Sequence, residues 1–453
     1  MTLPRLSTLP VPALLFVCLL IGGSVQWPFA TLLIQLGAVA LLLWAIMGGR
    51  QSQYRGEGMA PVWLAIAAIL VGLAQLVPLP PFIWTHLPGR ELIAEGYRQL
   101  GMALPWVPVS MVPSAAMPTL LPMLVPLSIY LAMLRREPPS ASLLIGTILT
   151  ATTLGAMLGV LQIKDGTQHY YPYPVSDWSS ASGFFANPNH MGLLLLVAIP
   201  LAVGLGVDRW PTMTKRSARI SLIGLLGLVA IALATVIPLN GSLAIAILGG
   251  PVLISSVMIP DWGKHEYLRR AASALLILAV LFATAGVFWA RHILTSMGQT
   301  GFATRSEIWH TAWIAVRESF PFGTGLGSFE KVYPLGENAT QVTATYVNHA
   351  HNDYLELLIE GGAPMVVLII LFFVWWARRA RNDWLAKDNP ALGRAAAIAS
   401  GAILAHSFVD FPLRTPAIAA LFGACIAMMV VAIRPKPVTN PGDLHKSRHT
   451  VVH

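Results

Sequence analysis

Apolar runs long enough to cross a bilayer recur along the whole of this 453-residue chain. A run of about 20 apolar residues spans the hydrocarbon core as a helix. In lipid the backbone must satisfy its own hydrogen bonds, which leaves helices or a closed barrel. These runs are too long and too continuous for barrel strands. The chain is 55% hydrophobic and only 11% charged, whereas about a quarter of a soluble domain is charged. The expected fold is therefore an all-α integral membrane protein. Twelve transmembrane helices are expected, near 11–27, 29–47, 60–79, 116–134, 141–163, 190–207, 220–238, 242–260, 271–290, 362–377, 395–409 and 415–433. The first is not a signal peptide, because GGSVQWP lacks a small-x-small cleavage site and a second span follows at once.

Lys and Arg orient the spans. With the N-terminus cytoplasmic, 21 of the 29 fall on the cytoplasmic side and eight outside. Both termini are then cytoplasmic, and the formal charge of +9 is mainly a topology signal. It is spread over short loops, with no patch for nucleic acid. The two cysteines, Cys18 and Cys425, lie inside apolar spans, so no disulfide framework is implied. Residues 1–433 form one polytopic domain. The tail 434–453 is polar, Pro-bearing and expected to be disordered.

Polar residues gather in three long outer loops, 80–115, 164–189 and 291–361, where functional groups are expected. In the first, GRELIAEGYRQLG suits a short interfacial helix. In the third, Arg305, Trp309, Trp313 and Arg317 recur every four residues, as on an amphipathic surface helix. That spacing lets Arg305 and Arg317 share one broad face. Pro321 stops the helix. Gly323, Gly325 and Gly327 then permit either a simple chain reversal or a close approach to a ligand.

The third loop ends in NHAHNDYLELLIEGG, Asn348 to Gly362. A helix over 353–360 puts Asn352, Glu356 and Glu360 at intervals of four. Gly361 and Gly362 break it, and Pro364 suits the first turn of the next span. His349 and His351 sit at the helix start, where free N–H groups and the dipole favour anions. The H-x-H pair with Asp353 is similar to zinc ligation. However, two histidines at i, i+2 do not share a helix face, and no further ligands are obvious. The other readings are a histidine packed at a helix end and general-base catalysis, for which imidazole is well suited near neutral pH.

These residues resemble the O-antigen ligase and O-antigen polymerase superfamily of bacterial membrane glycosyltransferases. In that family nine residues separate a His-Asn pair from a Gly, as they separate His351-Asn352 from Gly362 here. Arg305 and Trp309 match the family's R-x-x-x-W. Pro321, Gly323, Gly325, Gly327 and Phe329 match its Pro-then-Gly-x-Gly turn. SGFFANPNHMG (182–192) and HSFVDFPLRTP (406–416) resemble two further blocks, so the resemblance covers about 180–430. One departure is clear. Relatives often carry Ser-Arg-Gly at the start of a mid-chain span, where this chain has Asn240-Gly241-Ser242-Leu243.

The resemblance implies transfer of a glycan from undecaprenyl diphosphate to an acceptor hydroxyl at the periplasmic face of the bacterial inner membrane. The acceptor is another glycan or a lipid A-core sugar, and no cofactor, nucleotide sugar or metal is expected. His351 is then the catalytic base. Arg305, Arg317 and Arg414 are candidate clamps for the diphosphate, since guanidinium pairs bidentately with phosphate. Arg414 has an alternative as a salt-bridge partner of Asp410. His349 joins the substrate site. Asn352 contacts a sugar or caps its helix, and Asn189 does one or the other at the helix after 187. A competing class is a lipid-glycan flippase or other transporter. Transporters place charge near the bilayer midplane and often show repeats, whereas here nearly every ionisable residue sits in a loop.

Overall fold

Among the described residues of the computed structural model, ten of the twelve expected spans carry apolar helices. The description covers 5–48, 56–175, 180–214, 240–260, 300–337, 347–385 and 391–431, with isolated positions between 216 and 285. The expected spans at 220–238 and 271–290 lie almost wholly outside these residues, as does the tail 434–453.

The helices are α1 Pro10–Ile21, α2 Pro28–Met47, α3 Ala60–Ala74, α4 Glu91–Gln99, α5 Pro113–Arg135, α6 Ala141–Asp165, α7 Pro188–Arg209, α8 Leu243–Val257, α9 Thr300–Ser319, α10 Asp353–Leu385, α11 Ala391–His406 and α12 Pro416–Val430. Six helices are long and apolar enough to cross a membrane: α2, a segment from Gly56 through α3, α5, α6, α7 and α10. The helices α1, α8, α11 and α12 are apolar but shorter. The first span ends at Ile21 rather than 27. Gly22 and Gly23 leave the helix there, and Gly23 bridges Phe185 in parallel.

α7, α11 and α12 form the centre. Every residue of α12 is buried, and α11 packs on α7 and α12. α11 carries a run of small residues, Gly393 and Ala395–Ala397, which let the backbones approach closely. Small residues serve this purpose in lipid, where apolar side chains gain little by meeting each other. α2, α3 and α10 lie further out, each with only 28% of its apolar window buried.

α10 is two helices joined at Gly362, whose φ of 59° and ψ of −153° are non-helical. The first, from Asp353, is the expected short helix. The second is the expected span. Segment 321–327 docks at this joint. The N–H of Ala363 donates to the Pro321 carbonyl (2.8 Å), and those of Thr324 and Gly325 donate to the carbonyls of Ile359 and Glu360 (2.9 Å each). Gly323, Gly325 and Gly327 all have positive φ. They pack against the backbone of Glu360 and against Ser110 and Ala115, so this turn is tight because protein approaches it.

Candidate active site

A carboxylate inside a protein needs donors, and Asp410 collects them from three segments. It lies between α11 and α12 and is fully buried. Asn187 caps α7, accepting the Asn189 N–H at 2.9 Å. That frees the amide of Asn189 to donate to Asp410 Oδ2 at 2.5 Å, while the Asn187 amide donates to the same oxygen at 3.2 Å. The cap is thus Asn187, and Asn189 serves Asp410. The Phe411 N–H and His351 Nδ1 meet Asp410 Oδ1 at 2.9 and 3.2 Å. The Nε2 atoms of the buried His190 and His406 stand 4.0 and 3.8 Å from the same carboxylate. Burial alone would raise the pKa of Asp410. The hydrogen bond with His351 and the surrounding imidazoles reverse this and hold it well below the usual carboxylate range.

An ionised carboxylate only accepts hydrogen bonds. His351 Nδ1 is therefore the donor in this contact, which leaves Nε2 as the acceptor of the neutral ring. The His351 side chain is 27% exposed. His351 also has a φ of 48°, the left-handed region, which costs a non-glycine residue on the order of 1–3 kcal/mol and clusters at functional sites. Asn352 then starts the helix: its side chain accepts the N–H groups of Tyr354 (3.1 Å) and Leu355 (3.0 Å). Of its two expected roles, the cap is the one observed.

A second cluster lies one turn along. His349 Nδ1 meets Glu356 Oε1 at 2.9 Å, and the Ala350 N–H donates to Oε2 at 2.9 Å. Arg414 reaches Asp353, Glu356 and Glu360 at 3.6, 3.1 and 3.2 Å. It does not pair with Asp410 as the sequence suggested, because the 3-10 turn Pro412–Arg414 aims it at the carboxylates of α10. Burial lowers its pKa, but the three carboxylates raise it overall. Phe411 separates the two clusters, with ring centroids 4.2 Å from His349 and 5.1 Å from His351. His349 and His351 thus turn to different carboxylates rather than converging. Among the described residues no group of three or more ligating side chains is arranged to hold a metal ion.

α9 carries the two arginines. Its buried stripe is Ile308, Ala312, Ala315 and Val316. A step of four residues drifts about 40° around a helix of 3.6 residues per turn, so the expected stripe splits. Trp309 turns inward and donates from Nε1 to the Ala350 carbonyl at 2.9 Å. Arg305 is half-buried and close enough to His406 for its charge to act there. Trp313 and Arg317 are exposed. Arg305 therefore lies toward His406, whereas Arg317 is on an exposed face of α9.

Asn348, His349, Glu356, Glu360 and Arg414 line one part of a cavity of about 1080 Å³, above the ~300–1,000 Å³ of small-ligand pockets. The remaining lining is mostly apolar and comes from α2, α3, α5, α10 and α12, with residues such as Leu32, Leu127, Met365, Phe372 and Phe422.

Asp410, Glu356 and His190 were not picked out from the sequence as site residues. Asp410 and His190 sit in the two blocks that resemble the family, 406–416 and 182–192, but nothing in either block tells which side chain meets His351. At the departure from the family pattern, Asn240 is buried and donates to the Ala181 carbonyl at 3.0 Å and the Pro188 carbonyl at 2.6 Å. Ser242 caps α8, accepting the Ile245 N–H. That segment ties the 182–190 block to α8.

No curated protein matches the chain. Residues 228–370 match the family model described as O-antigen ligase, a stretch that holds Arg305, the turn at 321–327, both histidines and Gly362. Over that stretch the chain is similar to the O-antigen ligase family, which supports the O-antigen ligase and polymerase superfamily.

Proposed function

We propose that the protein transfers a glycan from undecaprenyl diphosphate to an acceptor hydroxyl at the periplasmic face of the inner membrane. The observation that carries this reading is a carboxylate-oriented histidine, His351, two residues from His349, which lines the polar part of a large, mostly apolar cavity. The polyprenyl tail lies in the apolar part. His351 Nε2 takes the proton of the acceptor hydroxyl as its oxygen bonds to the anomeric carbon. The bond from that carbon to the diphosphate oxygen breaks, and the lipid diphosphate leaves with the electron pair. Asp410 holds the productive tautomer of His351 and stabilises the imidazolium. Asn189 and Asn187 hold Asp410.

Arg305 carries the contact to the diphosphate, supported by its place toward His406. Arg317 is exposed on another face of α9 and meets only a headgroup that extends over that face. The guanidinium of Arg414 is engaged by three carboxylates, so it acts as a positioning residue for α10. His349, which lines the cavity, contacts substrate.

Reconstitution tests this reading. Purified protein in lipid receives an undecaprenyl-diphosphate oligosaccharide as the only glycan, and products are sized by gel and mass spectrometry. A ladder of integral repeats identifies a polymerase. Transfer that appears only after a lipid A-core acceptor is added identifies a ligase. Silence in both assays, with the protein folded, contradicts the proposal and favours a transporter.

A further inference from the structure

The segment between α3 and α5 folds as a small unit of its own. The strands β1 Pro78–Leu79 and β2 Val107–Pro108 pair antiparallel and close its base. Trp84, Leu87 and Ala94 form its core, and Trp84 Nε1 donates to the Pro105 carbonyl at 2.8 Å. The buried Arg90 donates to the Val109 carbonyl. So small a core leaves large apolar side chains outside: Phe82 is 73% exposed, Leu92 88%, Leu100 75% and Trp106 66%.

These residues are not scattered. Leu92 and Gly96 on α4 and Leu100 at its C-cap follow at intervals of four and share one side. Glu91, Glu95 and Arg98 take the other, where Glu95 pairs with Arg98 at 3.3 Å. Ala94, the buried position, is on neither of these sides and faces the small core. α4 is thus amphipathic with its apolar side turned away from its own protein, the pattern of a helix lying in a membrane interface. An apolar patch of this kind marks an interaction site.

Continuity identifies the occupant. Leu70 and Leu73, near the end of α3, are exposed on a helix long and apolar enough to span the bilayer, and Val77, three residues past its end, is exposed too. Phe82 follows five residues after Val77. Chain reach is about 3.5 Å per residue, so Phe82 lies within roughly 18 Å of that lipid-facing surface. Trp106, three residues before Val109, suits the headgroup level, where Trp is enriched.

We infer that residues 81–106 form a lipid anchor, with α4 lying in the interface of the membrane leaflet on the side of the active site. Its base joins the helix from Asp353 directly. The Gln75 side chain donates to the Glu360 carbonyl at 2.9 Å and accepts the Leu326 N–H at 3.2 Å. The Met111 N–H donates to the Thr324 carbonyl at 2.7 Å. The anchor thereby fixes the height of the 321–327 turn, and with it the helix from Asp353, relative to the bilayer surface. This inference does not depend on the reaction proposed above.

Nitroxide labels test it in the full chain, reconstituted in phosphatidylethanolamine and phosphatidylglycerol vesicles. Three single-cysteine variants are needed, Leu92→Cys, Leu100→Cys and Glu95→Cys. The native Cys18 and Cys425 are buried and are replaced by alanine if they label. Labels at 92 and 100 are expected to collide more with oxygen than with a water-soluble nickel chelate, and the label at 95 the reverse. Nickel-dominated collisions at 92 and 100 overturn the inference. So does shielding of both from either reagent, because a second protein surface then covers the patch. Circular dichroism and size exclusion verify that each variant is folded, and Phe82→Cys supplies the same readout where one fails.

Discussion

Replacing His351 with alanine removes the histidine that the buried Asp410 orients, while His349 keeps its own carboxylate, Glu356. A general base contributes about 10²–10⁴-fold, so kcat is expected to fall by that factor while the protein stays folded and inserted. Normal transfer by a folded His351→Ala protein contradicts the assignment. Asp410→Asn is expected to act through the tautomer. An amide at this position can donate to Nδ1 and turn the lone pair away from the reactant. A loss of about a hundredfold or more follows, with little change in acceptor KM. Equal activity in Asp410→Asn removes Asp410 from the orienting role. Arg305→Ala removes a charged hydrogen bond worth about 1.5–3 kcal/mol, so donor KM is expected to rise by roughly 10–100-fold with acceptor KM unchanged. An unchanged donor KM takes Arg305 out of the clamp.

At the scale of elements, the joint at Gly362 decides where the helix from Asp353 stands. Its φ is positive, and a Cβ there would meet the Pro321 carbonyl and the Gly323 nitrogen. Gly362→Ala is expected to destabilise the docking of 321–327 on α10 by more than the ~1 kcal/mol of an ordinary glycine change. Limited proteolysis within 320–330 checks this, and wild-type resistance would show that the joint tolerates a side chain. The break itself was legible, because two glycines and a proline punctuate an otherwise helical pattern. The short helix from Asp353 and its Asn352 cap were legible for the same reason. The partners were not. Asn187, Asn189 and Asp410 lie more than 50 residues in sequence from His351, and only packing gathers them around it. Local spacing favoured Asp410 as the partner of Arg414, four residues away. The turn at Pro412 sends that arginine to α10 instead. The four-residue repeat of Arg305 and Arg317 misled in a different way, since helical drift over three turns carries the second arginine to another face.

At the scale of the whole molecule, apolar runs made the helical membrane architecture plain before any fold was seen. Composition could not reveal that α3, α5, α10 and α12 enclose a cavity of about 1080 Å³, because a cavity depends on how helices meet. The lysine and arginine bias predicts which side faces out. A cysteine placed at Glu337 is expected to react with a membrane-impermeant maleimide from outside intact spheroplasts. One at Glu137 is expected to react only after permeabilisation, and the opposite pattern inverts the topology. The central claim joins the cavity to His351, and one measurement reaches both. Proteoliposomes receive undecaprenyl-diphosphate oligosaccharide labelled in the glycan, with acceptor in excess, and release of free lipid diphosphate is timed for wild type and for folded His351→Ala. Release coupled to acceptor glycosylation in the wild type, and slowed by about a hundredfold or more in the variant, is the predicted result. Equal release by the two proteins, or none by the wild type with either a glycan or a lipid A-core acceptor, contradicts it.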